Sequence, residues 1–215
     1  MSTIVVGGIR FSPRELGDLA IAWVALGIAF SVFIMAVIGR SVFPDPVGAI
    51  ATPLFVQIFI TSMLTAGIGF LLHELAHKIV AVRFGQIAAF KADFGMLALA
   101  IGAAFAGFLF AAPGAVYHRG RITPRENGLV SIAGPVTNLG LVVVFLGLVP
   151  FGGIVGDIGA LGVTINAFLA VFNMLPFGPL DGKKVLSWSR ISFAVVFVIS
   201  GLTAIASFLF VGIPY

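Results

Sequence analysis

Residues 71–80 read Leu-Leu-His-Glu-Leu-Ala-His-Lys-Ile-Val, or LLHELAHKIV. Two histidines and a glutamate follow directly on a run, Val47–Leu72, that contains no Asp, Glu, Lys or Arg. Ionisable groups are costly in hydrocarbon and persist there chiefly where they serve a site or a pathway. Whether this stretch lies in a membrane therefore decides both the fold and the meaning of its three polar residues.

The rest of the chain answers the first question. It has 215 residues, of which 60% are hydrophobic and 9% charged, against roughly a quarter charged in a soluble domain. Charge-free runs fall at Leu19–Gly39, Val47–Leu72, Phe94–Tyr117, Asn127–Gly156, Ile158–Leu180 and Ile191–Tyr215. A spanning helix needs about 20 apolar residues, so each run is long enough. The net charge of +4 does not point to nucleic acid, because the basic residues sit between apolar runs and not in a polar, basic patch. With no cysteine, thiolate ligands and disulfides are excluded. Arg10 and Arg14 precede a first run too long for a signal-peptide core and without an Ala-x-Ala ending, so it reads as a retained span. Phe43-Pro44-Asp45-Pro46 and Gly152-Gly153 with Asp157 punctuate neighbouring runs.

Lys and Arg mark cytoplasmic loops. Arg10 and Arg14 put the N-terminus inside, and the second run returns to Lys78, Arg83 and Lys91. The third run, Phe94–Tyr117, is flanked by basic residues on both sides, with Arg119, Arg121 and Arg125 following it. A full crossing would place one cluster outside. A re-entrant element keeps both inside, and the Gly- and Ala-rich composition of the run favours it. Such backbone is tolerated at membrane depth where protein covers it or water reaches it. The expectation is an all-α polytopic membrane protein with about five transmembrane helices plus a re-entrant element, forming one integral-membrane domain over 1–215 with its core at 50–190. Every Lys and Arg except Arg40 then lies at or near the cytoplasmic side.

His73-Glu74-Leu75-Ala76-His77 is a His-Glu-x-x-His pattern. On a helix, residues four apart share one face, so both imidazoles can hold one metal and the glutamate between them can reach a water there. The pattern also occurs in soluble helices as a satisfied polar patch, but an apolar span disfavours that reading. Catalytic zinc takes three protein ligands. His118, the remaining histidine, lies in the basic stretch after the third run and reads mainly as an interfacial residue. Asp18, Asp45, Asp93 and Asp157 border runs as ordinary interface charges. Asp181 follows two prolines, Pro176 and Pro179, and precedes Gly182. On spacing it reads equally as a third ligand and as a helix-end aspartate near Lys183 and Lys184.

Here the sequence resembles the site-2 proteases, the intramembrane zinc metalloproteases of peptidase family M50. His73-Glu74-Leu75-Ala76-His77 followed by Asn173-x-x-Pro176-x-x-x-Leu180-Asp181-Gly182 is similar to that family's paired signature. Ser131-Ile-Ala-Gly-Pro-Val-Thr-Asn138 is similar to its Ala-Gly-Pro stretch. The resemblance covers about 60 to 190, and it is to a compact form without the PDZ-like or CBS-like domains of commoner members. An added apolar stretch, around Gly95–Phe110, precedes Pro113-Gly114-Ala115-Val116. The resemblance implies that His73, His77 and Asp181 bind one Zn2+, that Glu74 is the general base, and that Asn173 helps to hold the substrate strand. It implies a membrane-protein substrate helix as partner, within the lipid bilayer; the ligands' place near the basic, cytoplasmic ends of their spans separately predicts an active site opening toward the cytoplasm. The resemblance also demands that His73 and Asp181 lie near one face, which again requires a re-entrant third run.

Two other classes compete. A non-hydrolytic membrane metal-binding protein or transporter would use the same intramembrane histidines and carboxylates, but it has no need of a base one residue from a ligand. Prenyl-protein endopeptidases share only the first motif, and the Leu-Asp-Gly segment argues against them.

Overall fold

The computed structural model describes residues 3–40, 42–43, 45–109 and 113–215; Pro44 and Phe110, two residues of the expected turn and re-entrant stretch, lie outside them. Two strands, β1 (Ile4–Val6) and β2 (Ile9–Phe11), open the chain as an antiparallel hairpin that pairs Ile4 with Phe11 and Val6 with Ile9. Gly7 and Gly8 turn it at φ 56° and 81°, a conformation glycine adopts without a Cβ penalty. Helix α1 (Pro13–Val37) follows. The Ser12 hydroxyl caps it by accepting from the Glu15 N–H at 3.1 Å, and Pro13 stands in its first turn, where a missing N–H loses no bond.

A short helix, α2 (Pro46–Ile50), leads to α3 (Pro53–Ser62) and α4 (Ile68–Arg83), joined through a π-helical turn at Met63–Gly67 into one continuous helix, Pro53–Arg83. The Met63 carbonyl accepts the Ile68 N–H within this turn and also the Trp23 indole N–H of α1, the latter at 2.9 Å. Then come β3 (Ile87–Ala92), α5 (Phe94–Phe105), β4 (Gly114–Arg119), α6 (Pro124–Leu146), a 3-10 turn at Val149–Phe151, α7 (Gly153–Asn173), α8 (Asp181–Trp188) and α9 (Arg190–Phe210). α6 starts on a reciprocal cap: the Glu126 N–H donates to Thr123 Oγ1 at 3.2 Å, and the Thr123 N–H donates to Glu126 Oε2 at 2.8 Å.

Five helices among the described residues are long and apolar enough to cross a membrane: Pro13–Val37, Pro53–Arg83, Pro124–Phe151, Gly153–Asn173 and Arg190–Phe210. The protein is thus a multi-pass membrane protein, as the charge-free runs predict. The four short strands were not foreseen in the sequence.

The chain divides into two compact units. One comprises 1–68, 90–115 and 215; the other comprises 69–89 and 116–214. In the first, α1 packs on α3 and α5, and two carboxylates at its N-terminal end hold the edge of β3. Glu15 Oε1 accepts from the Phe90 N–H at 2.9 Å, and Asp18 Oδ2 accepts from the Ala92 N–H at 3.2 Å. In the second, α6 packs on α7 and α8, and α9 packs on α7 and α8. Buried Val142, Phe145, Val163, Ala167 and Ala204 form one part of its core, and Met174, Val185 and Val196 another.

The third apolar run is shorter as a helix than its composition suggests. Among the described residues of the run, only Phe94–Phe105, 12 residues, is helical, about 18 Å of rise against a hydrocarbon core of about 30 Å. Gly114–Tyr117, assigned to the run from sequence, belong to β4, which pairs with β3. The two ends of the excursion meet. The Asp93 N–H donates to the Pro113 carbonyl at 3.0 Å, and Gln86 Nε2 donates to the Arg121 carbonyl at 2.6 Å. A chain that leaves and returns alongside itself has the geometry of a re-entrant element. Single cysteines replacing the exposed Arg83 and Arg121 are therefore expected to react with an impermeant thiol reagent from the same face. Labelling from opposite faces would mean a full crossing.

Candidate metal centre and active site

Helix α4 carries His73, Glu74 and His77 into the interior of the second unit, where all three are buried. The two rings lie edge to face, with centroids 4.6 Å apart and planes at 86°, as expected of side chains one helical turn apart. Their Nδ1 atoms are occupied: His77 Nδ1 lies 2.7 Å from the Val130 carbonyl, and His73 Nδ1 lies 2.6 Å from Asn138 Oδ1. Both Nε2 atoms are left to face each other's neighbourhood.

Asp181 enters there from α8. Helix α7 ends at Asn173, and Pro176 and Pro179 lie in the connection that follows, outside any helix. Neither proline can continue a helix comfortably, and α7 stops ahead of both. Gly182 matters less for turning than for closeness. A Cβ at this position would collide with the Met174 carbonyl, so glycine lets the first turn of α8 lie against the end of α7. That approach delivers Asp181 Oδ2 to 3.3 Å from His73 Nε2 and 3.1 Å from His77 Nε2. The Lys184 ammonium stands 3.9 Å from the other oxygen, Oδ1. Burial alone would push the Asp181 carboxyl up, but the His77 and His73 imidazoles beside it hold it well below the usual carboxylate range.

The donor set fits zinc. Two imidazole nitrogens and a carboxylate oxygen, all buried, offer ligand atoms within 4.8 Å of one another. Tetrahedral zinc with bonds of about 2.0–2.1 Å needs donors about 3.3–3.4 Å apart, close to the spacing found. The backbone of α6 closes the remaining side. A Cβ on Gly134 would lie 2.5 Å from His73 Nε2 and 2.6 Å from His77 Nε2, so no larger residue fits without displacing a ring. Gly134→Ala is accordingly expected to lower the zinc content of the purified protein and its proteolytic activity together. Unchanged zinc content would mean that α6 can step back from the rings.

Glu74 is not one of these three donors; its Oε2 accepts from the Val116 N–H of β4 at 3.0 Å. His118, two residues further along β4, is half-buried and outside the donor group. Burial, the Lys184 ammonium and His77 together lower its imidazole from the usual range. Asn173 is not brought into the cluster. It ends α7 half-buried, with Nδ2 donating to the Leu169 carbonyl of its own helix at 3.0 Å. Three contributors escaped the sequence reading in these roles: the Val130 carbonyl, Asn138 and the close approach of Gly134. The only signal for Asn138 and Gly134 was the Ser131–Asn138 stretch, which marks the segment without saying what each residue touches, and Val130 lies just before it.

No protein-family model matches the chain. No solved structure matches it either. Two curated proteins do. "Putative zinc metalloprotease MJ0611" of Methanocaldococcus jannaschii is 38% identical over 192 residues, which cover 87% of this chain and 91% of that protein. "Putative zinc metalloprotease YwhC" of Bacillus subtilis is 32% identical over 151 residues, 58% of this chain and 66% of that protein. With this identity over nearly the whole of the first relative, and a buried two-histidine, one-aspartate centre suited to zinc, the chain belongs to the zinc metalloprotease family of these proteins.

Proposed function

We propose that this protein is an intramembrane zinc metalloprotease of the site-2 type, hydrolysing peptide bonds within or beside the transmembrane segments of membrane-protein substrates. The observation that carries the reading is the position of the metal centre: its two histidines and the adjacent Glu74 lie on a helix long and apolar enough to span a membrane, and its aspartate comes after the short connection that follows another such helix.

His73, His77 and Asp181 hold the zinc in this reading. Bound zinc supplies a Lewis acid that polarises a carbonyl and makes water acidic near neutral pH. Glu74 serves as the general base: it takes the attacking water's proton and later gives it to the leaving amine. The Val116 N–H fixes one of its oxygens and leaves the other for the proton. Water has a short route, because Asp181 starts a helix whose Lys183 and Lys184 are exposed, and Pro176–Pro179 before it are exposed as well. These basic residues support an opening on the cytoplasmic side.

A helical substrate hides its peptide groups and must unwind locally before attack. Strand β4 beside Glu74 offers extended backbone for such a segment to pair with. The family resemblance adds Asn173 as a side chain that helps to hold the substrate strand.

Purified protein reconstituted with a substrate carrying one transmembrane helix is expected to cut it within or next to that helix, at a bond mapped by mass spectrometry, and to stop when zinc is chelated. Bound zinc without cleavage of any membrane substrate would favour a metal-binding or transport role instead.

A further inference from the structure

An imidazole can carry its proton on either nitrogen, and an asparagine can present either its oxygen or its NH2. The 2.6 Å contact between His73 Nδ1 and Asn138 Oδ1 therefore does not by itself say which tautomer His73 adopts. The groups behind Asn138 do. Its Nδ2 lies 3.3 Å from the Gly69 carbonyl of α4 and 2.9 Å from Asn166 Oδ1 of α7. Asn166 Nδ2 in turn donates to the Gly162 carbonyl at 2.9 Å. Both ends of this chain are backbone carbonyls, which can only accept.

The polarity follows. The Gly162 carbonyl requires the NH2 of Asn166, so Asn166 turns its oxygen to Asn138. Facing that oxygen and the Gly69 carbonyl, Asn138 must present its NH2 on this side. Its own oxygen then faces His73 and accepts, so the proton of His73 sits on Nδ1. Nε2 is left with its lone pair toward Asp181. Asn138 and Asn166 are both 0% exposed, so an amide turned the other way would set like groups against each other with no solvent to relieve them. Gly69 makes the arrangement possible, since a Cβ there would collide with the Asn166 side chain.

We propose that Asn138 and Asn166 are positioning residues: a directional hydrogen-bond chain, from the Gly162 carbonyl through Asn166 and Asn138, holds His73 as the Nδ1–H tautomer with Nε2 free for the metal. The proposal rests on the reading of His73 as a zinc ligand. Its rival is that the pair only ties α4, α6 and α7 together. Outer partners of metal-bound histidines fix ring orientation and ligand basicity, and their loss typically weakens metal affinity about 10–100-fold.

The test measures zinc affinity by chelator competition, and thermal unfolding of the metal-free protein, on the full chain. Asn138→Leu is expected to weaken zinc by about 10–100-fold. Asn138→Asp is expected to recover most of that loss, because a carboxylate accepts the same Nδ1–H, although it offers no N–H to Gly69 or Asn166 and so leaves the helix junction no more stable than Leu does. A pure tie between helices predicts no such rescue. Asn166→Leu, which leaves His73 and Asn138 in place, is expected to weaken zinc in the same direction and by less. Unchanged affinity in Asn138→Leu or Asn166→Leu, or an Asn138→Asp protein as weak as Asn138→Leu, overturns the proposal. His73→Ala run alongside separates the two readings. If it loses zinc while Asn138→Leu does not, the chain has no positioning role and the ligand assignment stands. If it keeps its zinc, both fall.

Discussion

Glu74→Gln is expected to keep one zinc per chain while proteolysis falls by at least about 10²-fold, the usual scale for a lost general base. Three features of the site make the two readouts separable. Glu74 lies outside the His73, His77 and Asp181 donor group, so its carboxylate is not needed to hold metal. Glutamine is nearly isosteric and keeps an oxygen to accept from the Val116 N–H, the bond that anchors Glu74 to β4. What it loses is the capacity to take a proton from water and return it to the departing amine. Metal analysis and cleavage of a membrane substrate on the same preparation give the answer. Zinc lost along with activity would make Glu74 a structural member of the centre, and activity retained would assign the base elsewhere.

The same site shows what a sequence can and cannot disclose about a membrane enzyme. The five spans were legible because absence of charge over long runs has one cheap explanation, burial in hydrocarbon. The helical spacing of His73 and His77 was legible because it is local. The β1–β2 hairpin carries its own signal, Gly7-Gly8 between apolar residues, which strand-and-turn reasoning recognises and which charge-free runs do not reveal. Strand β3 was hidden differently: Ile87–Ala92 is short, and its alternation is visible only once Glu15 and Asp18 are known to bond its edge. Asn138 and His73 are separated by 65 positions, and Asn138 and Asn166 by 28. Nothing within either helix announces such partners, since a buried asparagine in a span states only that some group must satisfy it. Gly134 posed the converse problem. Small residues at helix interfaces usually permit close packing, and the sequence could not say that the surface approached is a pair of imidazoles.

Asp181→Ala is expected to remove most of the bound zinc and with it all measurable cleavage. The change takes a buried three-donor centre to two histidines, and the loss should exceed the roughly 10–100-fold that follows from altering an outer partner. Asp181 contributes more than one donor. Its Oδ2 is the point at which both Nε2 atoms meet, 3.3 and 3.1 Å away, and as the sole anionic donor it offsets part of the metal's charge in a buried setting. Asp181→Asn refines the result: it preserves shape and one oxygen but not the charge, so zinc binding intermediate between wild type and Asp181→Ala would show that charge and geometry both count. Because Asp181 begins α8 and is tied to Lys184, the alanine protein must also be checked for folding. Melting close to wild type in the metal-free state, combined with lost zinc, assigns the effect to ligation. Zinc content unchanged in Asp181→Ala would remove the aspartate from the centre. It would also leave unexplained why Gly182 admits the α7 carbonyl so closely that the only carboxylate of α8 is pressed between two histidines.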